Sequence, residues 1–232
     1  MAQTPAAAPA PQPAKPKPPV PPPDMREDSI ATLDAAALIA ILKDSASSEF
    51  KKAKACVRAG ELGAKEAVPV LAALLADQHL GAYARYGLEP IADPSADDAL
   101  RAALPKLKGN SLIGAVNSLG KRRDAKAIPA LVRMMQGADT ELARAAASAL
   151  GHIGTLASAK ELRAAMSKSA APLRTAVADA GLICAERLLA GGNRAEALDL
   201  YAALSAPDVP KPMRLAAMNA IVREETSIHR PR

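Results

Sequence analysis

Aromatic residues are nearly missing from this chain, with one Phe, three Tyr and no Trp among 232 residues. A compact domain with a single core normally draws much of its buried area from such rings. An elongated stack built on Ala and Leu needs fewer. Cysteine is equally scarce. Cys56 and Cys184 lie far apart and have neither metal nor redox spacing. Both sit among alanines on predicted helices, so they read as small buried residues rather than a disulfide. Histidine is limited to His79, His152 and His229, and none is followed by Glu. There is no HExxH, no Gly-rich phosphate loop and no plausible Ser/His/Asp set. The expectation is a chain with no catalytic, cofactor-binding or metal-ligating residues, and not an enzyme. No membrane span is expected. No apolar segment of the signal-peptide kind precedes the first prolines, so no signal peptide is expected as the sequence is written, and the cytoplasm is one of two open locations. The Ala-Gln-Thr-Pro start also looks like the residues after a signal-peptidase site, which would place a processed chain in the periplasm.

Proline, by contrast, crowds the front of the chain. Residues 1–23 alternate Pro with Ala and end in triple Pro. Proline removes backbone donors and forbids helix, so residues 1–28 are predicted to be a disordered or polyproline II tail. A linker is the commoner use of such a segment, and a ligand for an SH3-type domain is the other. Residues 29–224 carry helical periodicity throughout. Residues 225–232 form a second, short tail that breaks the pattern.

The clearest helical unit is Asp139 to Met166. Asp139 is a natural N-cap. Leu142, Ala146, Ala149, Leu150 and Ile153 make one apolar face. Gly151 and Gly154 are expected to end the helix. Ser158 and Glu161 have capping-box spacing and are expected to open a second helix, with Leu162, Ala165 and Met166 inward. The same unit recurs along the chain. Ala67-Val68-Pro69-Val70-Leu71 returns as Ala127-Ile128-Pro129-Ala130-Leu131, and Leu74, Leu104 and Met134 stand thirty residues apart. A period of that size is the mark of a solenoid. The predicted fold is therefore all-α, a solenoid of about five antiparallel helical hairpins behind the Pro-rich tail. Its first helix, Asp34 to Lys43, caps the stack. In the first hairpin Phe50, Ala53, Val57 and Leu62 are expected inward. Ser95 and Asp98 are expected to cap the second helix of hairpin two. Pro69 and Pro129 predict irregular helix starts. Met213 to Val222 reads as a last helix without a partner helix.

Asp139, Leu142, Arg144, the alanines 145–147, Ala149-Leu150-Gly151 and Ile153-Gly154 resemble a HEAT repeat, of the short kind also found in phycobilisome lyases. Leu188, Ala197 and Tyr201, with Pro210 beyond, resemble positions of a tetratricopeptide repeat. The resemblance implies a repeat fold and a protein-interaction scaffold, with a protein partner held on the solenoid surface. It also admits an enzyme of the bilin-lyase or hydroxylase sort. The HEAT-like iron hydroxylases carry paired His-Glu ligands, which this chain lacks.

One charge feature stands out in a chain of net charge +6. Glu89, Asp93, Asp97 and Asp98 cluster at the corner of hairpin two. From Arg101 to Lys126 the sign reverses, with Lys106, Lys108, Lys121, Arg122 and Arg123 between. The candidate partner-binding residues are Lys121, Arg122, Arg123 and Lys126. They can form a basic ridge for nucleic acid or an acidic partner. Alternatively, the stacked corners neutralise one another, and this is the favoured expectation. The apolar side chains of the last helix also make it a candidate homodimer contact.

Overall fold

A computed structural model describes residues 30–228 of the chain. Over these residues it holds twelve α-helices and no strand. The helices form five antiparallel hairpins with a single helix at either end, as the repeat spacing predicts. The expected tail over residues 1–28 lies outside the described residues, as does the end of the chain after 228.

Helix α1 (Ala35–Lys43) opens at Asp34, whose carboxylate accepts from the Ala37 amide at 2.9 Å. The hairpins are α2 (Glu49–Glu61) with α3 (Val68–Leu74), and α4 (Gly81–Leu88) with α5 (Pro94–Ala103). Next come α6 (Gly109–Lys121) with α7 (Ile128–Met135), and α8 (Thr140–Ile153) with α9 (Leu156–Met166). The fifth hairpin is α10 (Ala171–Ala190) with α11 (Arg194–Leu204), followed by α12 (Lys211–Ile228). Pro69 and Pro129 do mark irregular starts. A single 3₁₀ turn, Lys65–Ala67 or Ala125–Ala127, precedes each helix. Each proline falls in the first turn of the α-helix proper, where a missing N–H costs little.

Several local expectations are corrected by packing. Ser158 does not open α9. Thr155 is the N-cap and accepts from the Ser158 amide, while Ser158 itself is buried one turn in. Asp93, not Ser95, caps α5, with Pro94 at the first helical position. Gly151 lies inside α8, and the left-handed cap is Gly154, at φ 63°. The inward face of α2 is Ala53, Ala55, Cys56, Ala59 and Gly60, whereas Val57 and Leu62 are exposed. The smaller residues win the interior because neighbouring hairpins stack through close backbone approach. Helix α12 runs past Val222 to Ile228, since no Gly or Pro interrupts residues 213–228.

Glycine and alanine set the stacking distance. A Cβ on Gly60 would meet the Gly87 carbonyl oxygen at 2.5 Å, and one on Gly151 would meet that of Ala180 at 2.6 Å. On Gly120 it would meet the Ala149 Cα at 2.7 Å. These contacts hold α2 to α4, α6 to α8, and α8 to α10. The core between them is a continuous seam of Leu, Ile and Ala, including Leu71, Leu100, Leu131 and Leu162.

Candidate partner-binding surface

Between α4 and α6 the close glycine contact gives way to polar chemistry. The register of Gly60 and Gly120 falls on Glu89 in hairpin two. The Glu89 carboxylate is nearly buried and accepts from the Ser118 hydroxyl at 2.6 Å and the Lys121 ammonium at 2.6 Å. Arg85 pairs with it at 3.1 Å. Burial pushes the Glu89 carboxyl up, but Lys121 and Ser118 as donors, with the charges of Lys121 and Arg85, outweigh it. The net result lies below the ordinary glutamate value.

Arg122 carries the rest of this junction. Its guanidinium is 7% exposed and pairs with Asp97. It also donates to the carbonyl oxygens of Leu88 at 3.0 Å, Glu89 at 2.8 Å and Ile91 at 2.6 Å. A cation supplied by the next hairpin thus satisfies the open carbonyls at the C-terminus of α4. Arg101 bridges Asp98 and Asp124, and the Asp124 side chain caps the turn before α7.

The four ridge candidates therefore separate. Arg122 is folded into the neighbouring corner and presents no free charge to a partner. Lys121 keeps a mostly exposed side chain but pairs with Glu89. Arg123 and Lys126 are exposed. Arg123 is also the one non-glycine residue with positive φ, at 59°, among the described residues. The acidic and basic corners meet as the favoured expectation has it.

Sequence reasoning missed two surfaces. Tyr83 and Tyr86 are 43% and 51% exposed on α4. Tyr83 lines a groove of about 290 Å³ with Phe50, Val57 and Ile30. The scarcity of aromatics was the available signal, since three of the four rings lie on adjacent helices α2 and α4. The other surface is a groove of about 580 Å³ between α9 and α11. Leu156, half exposed, stands at its edge and buried Leu200 forms part of its lining.

Neither thiol offers chemistry. Cys56 and Cys184 are free and fully buried. Burial pushes their pKa values up to about 12 and about 11, so thiolate is scarce at neutral pH. No three His, Cys, Asp or Glu side chains among the described residues converge as metal ligands do. No described helix is long and apolar enough to cross a membrane.

Residues 98–181 match the family model of HEAT repeats. No curated protein matches the chain significantly. Among solved structures the chain is similar to an engineered protein, with 15% identity, a TM-score of 0.45, and coverage of 86% of this chain and 98% of the other. It is also similar to the complex of CpcE and CpcF of phycocyanin lyase from a Nostoc species, with 20% identity, a TM-score of 0.43, and coverage of 86% and 84%. Neither likeness bears on what this chain binds. The segment that matches HEAT repeats begins in α5, ends in the middle of α10 and lies within one unbroken stack of hairpins.

Proposed function

We propose that the chain is a non-catalytic scaffold that holds a protein partner on the helix faces of its stack. The observation that carries this is the placement of its rings. Tyr83 stands in solvent beside Phe50, and Tyr86 is exposed one turn further along α4, in a chain that has almost no other aromatic residue. Tyrosines held on rigid helices cost little entropy to immobilise and are enriched at interface centres. The test is affinity capture from the host's own extract, with the whole chain and a Tyr83→Ala/Tyr86→Ala variant as parallel baits. The variant is expected to keep its helical signal and to lose a discrete set of captured proteins. Identical captures by the two baits would remove the scaffold surface at this site.

A second reading, binding of nucleic acid or another acidic partner, is favoured by Arg123 and Lys126. Both are exposed, and neither forms an ion pair among the described residues. Retention on DNA that falls steeply with salt, and falls further in Arg123→Ser/Lys126→Ser, would support it. Retention unchanged in that variant would exclude it.

A further inference from the structure

The groove between α9 and α11 has opposite charge on its two banks. Lys160 and Arg163 stand one turn apart on α9, and Glu196 and Asp199 stand one turn apart on α11. All four are exposed, and none forms an ion pair among the described residues. At the corner of hairpins two and three, by contrast, opposite charges are close enough to pair directly. Here no ion pair crosses the groove among the described residues, and its lining includes Leu156 and Leu200.

We propose that this groove receives an amphipathic α-helix of a protein partner, with an apolar stripe flanked by acidic residues on one side and basic residues on the other. The partner's acidic flank lies along Lys160 and Arg163, and its basic flank along Glu196 and Asp199. Residues three or four apart on a helix are neighbours at about 5–6 Å, which matches the one-turn spacing of both rows. The apolar stripe covers Leu156, whose exposed side chain supplies the contact that charge alone cannot. Turning such a helix end for end exchanges its flanks, so the banks set the direction in which it lies. That is the work electrostatic complementarity does at an interface. The assignment rests on the scaffold function proposed above and names its partner's chemistry.

Three synthetic helical peptides test it, all with the same Leu/Ala stripe. One carries Glu on one flank and Lys on the other, one carries Lys on both, and one carries Glu on both. Fluorescence anisotropy with the full chain at low salt should show the mixed peptide bound about tenfold tighter than either other. In Glu196→Lys/Asp199→Lys the preference should pass to the all-Glu peptide. In Lys160→Glu/Arg163→Glu it should pass to the all-Lys peptide. The two variants serve as mutual controls, because each keeps the helical signal only if its own charges are tolerated. Leu156→Glu should weaken all three peptides. Equal binding of the three peptides, or preferences that ignore both charge reversals, would overturn the proposal. So would equal binding by a proline-interrupted mixed peptide, which cannot form the helix. If the peptides fail while the tyrosine-dependent captures persist, the groove assignment falls and the scaffold function stands.

Discussion

Single residues in this protein carry either distance or charge, and the two kinds fail differently. Gly151 carries distance. Replacing it with Ala would gain about 1 kcal/mol in helix preference, but its Cβ would meet the backbone of α10 at under 3 Å. Backbone cannot rotate away, so overpacking of roughly 1–3 kcal/mol dominates. Gly151→Ala should therefore lower the melting temperature, and a rise would show that α8 and α10 do not touch there. Leu150, fully buried one residue earlier, carries volume instead. Leu150→Ala should cost about 2–5 kcal/mol in denaturant unfolding. The importance of Leu150 is legible from helical spacing alone. The role of Gly151 is not, because a glycine near a helix end reads locally as a stop signal. Only the adjacent hairpin shows that it is a contact.

At the scale of elements, the junction of α4 with α6 is held by ions, whereas α2 with α4, α6 with α8 and α8 with α10 meet through glycine. Arg122 and Lys121 are neighbours in sequence with unequal duties. Removing a nearly buried charge strands Asp97 and the carbonyls of α4, so Arg122→Ala should cost roughly 3–5 kcal/mol. Lys121→Ser removes a mostly exposed partner from Glu89, which keeps Arg85 and Ser118, and should cost up to about 1 kcal/mol. Equal effects in urea titrations would contradict this division. A triple replacement of Lys121, Arg122 and Arg123 would therefore confuse folding with binding. The junction also predicts a dependence on pH. The Glu89 carboxyl is held below its ordinary value, so its contribution is fully present above the unfolded pKa. It is lost as pH falls through the depressed folded value. Glu89→Gln should lose stability at neutral pH, and its deficit relative to the unmodified chain should shrink on acidification. The comparison is with the unmodified chain at each pH, since Asp44, Asp77 and Asp93 are also held low. Parallel stability curves for the two proteins would sink the assignment.

At the scale of the whole molecule, the stack ends on α12, where Leu215, Met218 and Val222 face solvent along one stripe. Ala217 and Ala220 on its other side are buried. Three side chains per copy fall well short of the roughly 1,200 Å² that stable interfaces bury. Self-association through α12 should therefore be weak and concentration-dependent in light scattering, and Met218→Glu should abolish it. A tight dimer, or association indifferent to that change, would point to another surface. The sequence by itself determined the class, the repeat length and nearly every hairpin. Those follow from periodicity, proline and capping residues, which act over one or two turns. Tertiary structure alone decided which face of α2 is buried, which glycines are contacts, and that Arg122 is structural while Arg123 is exposed. The tyrosines of α4 and the charged banks of the α9–α11 groove were likewise settled only there. Each of these depends on a neighbour about thirty residues away in the chain, and local propensity carries no information about the packing of one hairpin against the next.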